Sequence, residues 1–409
     1  MSAPLTVSLP SSFSTAAPFP LTAAARNGPP RFTLDGSAEL EAHLARTCER
    51  IAAGIHGLVP SQKLEAVLLG GGYGRGEGGV LQTAEGDQPY NDLEFYVCIT
   101  GNRHWNERRF GRALHVLGEI LTPQAGIEVE FRITSLAELR AGTVSMFSYD
   151  LLTGHRWLVG DESLLEGCRH HLDPEDIPLA EATRLMMNRG SGLLFAAERL
   201  ARARFTPADA DFVTRNIAKA QLGAGDAMLT AYGQYHWSVR ERQRRFERLV
   251  HCERLPWLPE LVQHHAEGTE FKLHPHRHLA SREELAARHA VVAGLCREAW
   301  LWVEQKRLGT TLRSVWQYVE APVNKCPHAP VWRNLLVNAK AHGPAALVRP
   351  GAWKHPRERV LNALALLLWH GPTAEEPKVL SRVQRELRTK ATGFAELVSA
   401  YRDLWARVN

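Results

Sequence analysis

Apolar residues recur with two different periods along this chain, and the change of period divides it into two parts. In the first part, short apolar runs such as residues 66–69 are bounded by turn residues, a pattern typical of buried strands. Past residue 178 the strand signals fade and long helical periods dominate. The pattern predicts an α+β protein, with a small mixed-sheet domain over residues 37–165 followed by a mostly helical domain over residues 175–409.

The same spacing predicts the individual elements. Residues 37–57 form a helix, followed by a strand, a glycine turn, a second strand, a helix over residues 107–121 and a strand over residues 127–133, with residues 151–159 completing the sheet. Further helices are expected over residues 181–202, 207–232, 281–306, 331–341, 357–369 and 380–405. Residues 1–36 lack the basic start and continuous apolar core of a signal peptide, so we expect a flexible extension there.

Two carboxylates, Asp92 and Glu94, interrupt an apolar run. Side chains of a strand alternate between its faces, so Asp92 and Glu94 point the same way while Leu93 points into the core. Neighbouring carboxylates repel each other unless a cation lies between them. Hard oxygen ligands suit Mg²⁺, which keeps part of its water shell and also binds phosphate oxygens. The pair therefore predicts a magnesium site.

The segment before this pair breaks into glycines at Gly70, Gly71 and Gly72. We expect this turn to begin a helix whose free backbone N–H groups bind phosphate. Metal-binding carboxylates beside a phosphate site are typical of phosphoryl or nucleotidyl transfer. Each motif alone is weak, because glycines occur in many turns and the carboxylates also fit an exposed strand face. Their combination, in this order, favours a site for phosphoryl or nucleotidyl transfer.

Residues 71–77 (Gly-Gly-Tyr-Gly-Arg-Gly-Glu) and 91–97 (Asn-Asp-Leu-Glu-Phe-Tyr-Val) resemble the signature of the DNA polymerase β-like nucleotidyltransferases. In that superfamily a glycine turn precedes an acidic strand, and a third acidic residue follows on a later strand. The resemblance places the third residue at Glu130, with Glu128 as the alternative. It covers residues 64–133. The gap before the acidic strand is longer than in compact bacterial members, so an inserted loop is expected over residues 84–90.

The resemblance implies that Asp92, Glu94 and Glu130 form the catalytic and metal-binding set. Two Mg²⁺ ions are expected, with Mn²⁺ as the alternative. Glu130 would also act as general base on an acceptor hydroxyl, whose attack on the α-phosphate releases pyrophosphate.

For the nucleotide, the resemblance implies phosphate contacts at Gly71 and Gly72 and a helical domain that closes over the nucleotide and acceptor. Arg75 is either a phosphate contact or, in the favoured interpretation, one half of an ion pair that holds the turn. Lys219 resembles the cation that such a domain offers to the triphosphate, and its alternative is a solvated helix residue. Arg189 is likewise a phosphate contact or an ordinary ion pair.

The composition of the chain limits the binding partners and the cellular compartment that we expect for it. A net charge of +5 fits a nucleoside triphosphate without requiring nucleic acid, and the arginines of residues 240–248 alternate with glutamates as on a solvated helix face. No apolar stretch approaches the roughly 20 residues that span a bilayer. Six scattered cysteines without a Cys-x-x-Cys pair predict a reduced, cytoplasmic protein.

Together these features predict a metal-dependent enzyme that moves a nucleoside monophosphate from a nucleoside triphosphate to a hydroxyl of a small molecule or protein. A catalytically inactive nucleotide-binding or scaffold protein with the same fold is the first alternative. The second is an RNA-modifying nucleotidyltransferase, which would need a continuous basic groove. The base, the acceptor, the oligomeric state and the choice between Glu128 and Glu130 stay open at this point.

Overall fold

The computed structural model describes residues 31–251, 253–277, 280–327, 330–348, 351–371 and 376–408. It is a mixed α+β structure, largely helical with two small sheets, which confirms the fold class predicted from the sequence. The strands are β1 (Leu64–Leu69), β2 (Gly79–Thr83), β3 (Gly86–Tyr90), β4 (Asp92–Ile99), β5 (Glu128–Thr134) and β6 (Arg156–Val159).

The larger sheet has the strand order β5-β4-β1-β6. β1 pairs antiparallel with both β4 and β6, whereas β4 and β5 run parallel, with Glu94 opposite Glu130. The sheet is therefore mixed, as predicted. Its parallel pair is connected by a long helix that packs on the sheet, which is the usual way to join parallel neighbours.

Helices surround this sheet and then form the rest of the described chain. The first group is α1 (Ala38–Leu58), α2 (Gly71–Gly74), α3 (Arg103–Ala125), α4 (Leu136–Ala141) and α5 (Met146–Thr153). After 3₁₀ segments at Glu162–His171 and Pro174–Asp176 come α6 (Leu179–Leu200), α7 (Pro207–Ala231), α8 (Val239–Leu249), α9 (Leu258–Leu273) and α10 (Arg282–Leu308). The last group is α11 (Val315–Glu320), α12 (Val331–His342), α13 (Arg357–Trp369), α14 (Pro377–Leu387) and α15 (Phe394–Val408), with a 3₁₀ turn at Pro344–Ala346.

Local sequence explains where the long helices begin. Thr206 and Asp209 form a capping box at the start of α7, in which each side chain accepts a hydrogen bond from the other residue's backbone N–H. Ser281 and Glu284 do the same for α10. The helices that were predicted in these regions are confirmed, with ends shifted by a few residues.

Hydrophobic cores follow the two parts of the chain. Among the described residues, the largest buried cluster contains only residues from Ala182 onward, and the two clusters on either face of the sheet contain only residues up to Cys168. A small cluster that includes Tyr149 and Tyr235 joins the parts. No helix of the described residues combines the length and the apolar character that crossing a membrane requires.

Three expectations about elements were wrong. The inserted loop over residues 84–90 is largely strand β3, which pairs with β2 in a hairpin, so Gly79 lies opposite Tyr90. The prediction that residues 151–159 complete the sheet is wrong only in its extent: β6 joins the sheet beside β1, but α5 continues to Thr153. Residues 380–405 are not one helix, since α14 ends before Arg388, which adopts a left-handed conformation.

The predicted extension over residues 1–36 lies mostly outside the described residues, which begin at residue 31. The described end of this segment packs against the sheet part of the chain. Phe32 is buried, its backbone N–H donates to Glu41 Oε2 at 2.7 Å, and Thr33 pairs with Gly78.

Candidate active site

A cleft of about 330 Å³ lies between the end of the sheet and helices α6 to α9. It brings together most of the residues that the sequence analysis proposed for the site. These are Gly71, Gly72, Arg75, Asp92, Glu94, Lys219 and Arg189. Of the predicted site residues, Glu130 does not line this cleft.

The glycine turn lies directly against the acidic strand. The backbone N–H of Gly70 donates to the carbonyl of Glu94 at 2.9 Å, which ties the end of β1 to β4. Gly71 has a φ of +62°, and a Cβ at this position would lie 3.1 Å from Glu94 Oε2. Only glycine fits such backbone without strain. The backbone N–H groups of the first turn of α2 have no partner within the helix, so they are available to a ligand.

Asp92 and Glu94 lie on one face of β4, as the alternation predicts. Burial raises the pKa of Asp92, an effect that Lys219 opposes and Glu130 adds to. Burial also raises the pKa of Glu94, and the charge of Asp92 raises it further. The fold therefore holds two mutually repelling carboxylates in a poorly solvated place, at a free-energy cost that a bound cation would offset.

Glu130 lies on β5 opposite Glu94, so its side chain shares the face of the carboxylate pair. Its charge contributes to the raised pKa of both Asp92 and Glu94. Its carboxylate, however, forms an ion pair with Arg132 at 3.3 Å, and Arg132 also lies 3.9 Å from Glu94. Glu128, the alternative, lies opposite Asp92 and is exposed. By strand alternation both Glu128 and Glu130 lie on the face of Asp92 and Glu94, and Glu130 is the less exposed of the two and is paired with Arg132.

The fit of Mg²⁺ to these residues rests on the donor set. No group of three or more His, Cys, Asp or Glu side chains in the described ranges is arranged to hold a metal ion. The donors are the two carboxylates of Asp92 and Glu94, which are hard oxygen ligands with raised pKa values. Two carboxylates plus water and substrate phosphates are a usual Mg²⁺ environment, so the pair fits one such ion.

Five cations from the described helices line the same cleft, including Arg189 on α6, Lys219 on α7 and Lys272 on α9. None of these three forms a hydrogen bond or an ion pair with another residue in the described part of the chain. Gly223 leaves room for Arg189, because a Cβ at residue 223 would lie 2.5 Å from Arg189 Cγ. Unpaired cations at the wall of a cleft are costly unless an anion binds there.

The pKa values of these cations agree with an anion-binding role for the cleft wall. Burial, then the charge of Arg189, lowers the pKa of Lys219, and Asp92 opposes the shift. Burial lowers the pKa of Arg189 as well. For Lys272, burial followed by the charges of Arg75 and Arg242 lowers the pKa to about 7. A bound polyphosphate would raise these pKa values again and favour the charged forms.

Comparisons of the chain with protein-family models, curated proteins and solved structures found no match.

Two residues of the glycine turn have structural partners. Arg75 forms an ion pair with Asp150 at 3.4 Å, as in the interpretation favoured from the sequence. Glu77 is buried and accepts hydrogen bonds from Ser238 Oγ at 2.6 Å and from the backbone N–H of Val239 at 2.8 Å. A carboxylate at the first N–H groups of a helix stabilises that helix, so Glu77 connects the glycine turn to the start of α8.

A buried ionic network forms part of the cleft wall, which includes Asp226 and Arg242. Arg242 Nε lies 3.0 Å from Asp226 Oδ1, which also lies 3.2 Å from His265 Nε2, and Arg242 Nη1 donates to Tyr235 Oη at 2.7 Å. The solvated helix face expected for residues 240–248 is therefore wrong for Arg242, whose exposure is 4%.

Sequence reasoning missed Arg242 and Lys272 as residues of the cleft, although both lie on inner helix faces. Arg242 shares the buried face of α8 with Val239 and Phe246, at helical spacing. Lys272 follows the buried Gly268 by four residues on α9 and therefore points the same way. A charged residue in the apolar stripe of a helix was the available signal.

Proposed function

We propose that this protein is a metal-dependent nucleotidyltransferase of the DNA polymerase β-like type, which moves a nucleoside monophosphate from a nucleoside triphosphate to a hydroxyl of a small molecule or protein. One observation supports this most strongly. A single cleft contains the carboxylate pair of Asp92 and Glu94 together with the unpaired cations Arg189, Lys219 and Lys272. Carboxylates for a metal and cations for phosphates are both needed to bind a metal-nucleotide complex.

Each group has a stated task in this proposal. Asp92 and Glu94 would hold Mg²⁺, which would supply positive charge beside the phosphates during transfer. Lys219 and Lys272 would bind the phosphates that leave as pyrophosphate and stabilise their charge. The backbone N–H groups of Gly71 and Gly72 would orient the triphosphate.

The acceptor hydroxyl attacks the α-phosphorus, a new O–P bond forms, and the bond from the α-phosphorus to the oxygen bridging it to the β-phosphate breaks. The hydroxyl proton passes to Glu130. Glu130 can accept this proton only after Arg132 has moved away from it, because the ion pair stabilises the ionised carboxylate. Substrate binding would therefore have to displace Arg132.

A non-catalytic nucleotide-binding protein of the same fold is the second candidate, and one contact favours it. Arg132 lies within ion-pair distance of both Glu94 and Glu130. A permanent guanidinium there would neutralise part of the acidic face and hold the general base ionised and occupied. Such a protein would bind nucleotide without transferring it.

A thermal-shift titration tests both candidates. ATP, GTP, CTP and UTP are each added with and without Mg²⁺ to the wild type, to Asp92→Asn and to Glu128→Gln, an exposed carboxylate in register with Asp92 on the neighbouring strand. We expect one or more nucleotides to stabilise the wild type by about 2.7 kcal/mol at one hundred times the dissociation constant. This should require Mg²⁺, disappear in Asp92→Asn and persist in Glu128→Gln.

Nucleotides that leave all melting temperatures unchanged would refute the proposed function. Pyrophosphate release, followed over a panel of hydroxyl acceptors, separates the two candidates. A wild type that binds the Mg²⁺-nucleotide complex but releases no pyrophosphate with any acceptor would favour the non-catalytic protein.

A further inference from the structure

A second cavity of about 280 Å³ adjoins the cleft. We call it the hairpin pocket and define it by Gln88, Tyr90, Ile127, Asp211, Arg215 and Arg277. Tyr90, Asn91 and Arg215 line both cavities, so the two spaces share a wall. Tyr90 and Asn91 directly precede Asp92 in the chain. A molecule in the hairpin pocket would therefore lie next to the metal-binding carboxylates without occupying the place of the triphosphate.

The hairpin pocket contains polar groups without partners. Tyr90 Oη is buried and forms no hydrogen bond within the described part of the chain. Asp211, Arg215 and Arg277 line the same pocket as Tyr90. Burial raises the pKa of Tyr90, Asp211 adds to the shift, and Arg215 and Arg277 oppose it. A buried hydroxyl without a partner is unfavourable, so a ligand that accepts its hydrogen bond would be stabilised.

Of the charged side chains that line the hairpin pocket, one arginine has no partner among the described residues. Arg215 lies 3.0 Å from Asp211 and is paired with it. Arg277 is exposed and makes neither a hydrogen bond nor an ion pair with any of the described residues. A guanidinium binds carboxylate and phosphate through two parallel hydrogen bonds, which gives these groups preference over neutral ones.

The base of the nucleotide has a different apolar surface available. Phe271 and Leu222 line the cleft and not the hairpin pocket, and the ring of Phe271 packs edge-on against Tyr90 at 6.3 Å. An aromatic and an aliphatic side chain suit the flat face of a base. The hairpin pocket, with its tyrosine hydroxyl and free arginine, suits a smaller and more polar molecule.

We propose that the hairpin pocket binds the acceptor, and that the acceptor is a small hydroxyl compound carrying a carboxylate or phosphate group. Arg277 binds that oxyanion, Tyr90 donates to it or to a neighbouring hydroxyl, and the reacting hydroxyl is directed past Asn91 towards Asp92. This assignment rests on the proposed function, which supplies the second substrate.

The test uses three related probes, which are glycerol, glycerate and glycerol 3-phosphate. Each is titrated into the full chain saturated with Mg²⁺ and the α,β-methylene analogue of the nucleotide that the thermal-shift titration selects, which cannot release pyrophosphate, and the melting temperature is followed. We expect one or both anionic probes to raise it and glycerol to have no effect. Arg277→Gln should weaken the anionic probe at least tenfold, and Tyr90→Phe should weaken it less, in line with one lost hydrogen bond.

Arg112→Gln is the matched control, because Arg112 is an exposed arginine of α3 outside both cavities. It should leave both nucleotide and probe binding unchanged. Equal probe binding by Arg277→Gln and wild type would overturn the proposal, and so would the absence of binding by either anionic probe. Weaker nucleotide binding in Arg277→Gln would overturn it too, because the pocket would then belong to the nucleotide.

The two failures are distinguishable. If the wild type binds no nucleotide, the proposed function fails, and the same probes titrated without nucleotide still show whether an oxyanion depends on Arg277. If nucleotide binds and the probes do not, only the acceptor assignment fails.

Discussion

Replacing Lys272 by methionine tests whether the helical wall of the cleft is built to receive an anion. The substitution keeps an unbranched side chain of similar length and removes the charge. In the protein without ligand, Lys272 has no ion pair among the described residues, and burial together with Arg75 and Arg242 lowers its pKa from 10.5 to about 7. Glu77 and Asp150 oppose that shift without cancelling it.

The sign and size of the effect follow from the two pKa values. Below about pH 7 both the folded and unfolded chains hold the proton, and the folded protein bears the full cost of a poorly solvated ammonium. Between about pH 7 and pH 10.5 only the unfolded chain holds it, so wild-type stability rises with pH relative to the variant. One pKa unit corresponds to about 1.4 kcal/mol, which gives an upper limit of about 5 kcal/mol. Because the side chain reaches the solvent of the cleft, we expect about 2 kcal/mol.

Urea unfolding without nucleotide measures this difference at several values between about pH 6 and pH 10. Lys272→Met should be more stable than wild type near neutral pH, and the gain should shrink as the pH rises. Lys390→Met, which removes an exposed lysine, is the control and should show neither effect. With Mg²⁺ and nucleotide the order should reverse, since the bound phosphates favour the charged lysine. A variant that is less stable without nucleotide, or a difference that is independent of pH, would refute the reasoning.

Three further predictions concern the carboxylate pair, the triphosphate and the buried network. Asp92→Asn should abolish Mg²⁺-dependent pyrophosphate release while leaving the melting temperature unchanged or higher, because it relieves repulsion with Glu94; retained release would remove Asp92 from the site. Lys219→Ala should weaken triphosphate binding more than monophosphate binding in calorimetry, and equal losses would be evidence against its proposed contact. Arg242→Met should lower the free energy of unfolding by about 3 kcal/mol, because it leaves Asp226 buried without its guanidinium partner. The control Arg240→Met replaces an exposed arginine and should change the free energy of unfolding by less than about 0.5 kcal/mol. Similar values for both variants would contradict the described network.

The part of the site that could be predicted from the sequence depends on local geometry. Alternation along β4 is a property of any strand, so it placed Asp92 and Glu94 on one face without knowledge of the fold. The same alternation puts Arg132 on the face of Glu130, two residues away on β5, and this neighbour was overlooked. The ion pair between Arg132 and Glu130 could therefore have been predicted from the sequence.

Other features depend on packing between distant segments. Lys272 lines the cleft because α9 packs against α7, a contact between helices that no local pattern specifies. The sequence of β3 predicts a loop, because Gly86 and Pro89 flank its two polar residues and neither the strand period nor the helix period of apolar residues appears in it. Residues 86–90 form a strand because they pair with β2, and their own sequence does not indicate this pairing.

The contact between Glu77 and the start of α8 has a consequence for how the protein matures. Its two ends are 161 residues apart in the sequence, so it forms only after a very long loop has closed. The hydrogen bonds from Ser238 and Val239 to Glu77 therefore support the turn beside Asp92 and Glu94 only when the later helices have docked. A nascent or partly folded chain would possess the acidic strand but lack the cationic wall. Under the proposed function, such a chain would bind nucleotide only once folding is complete.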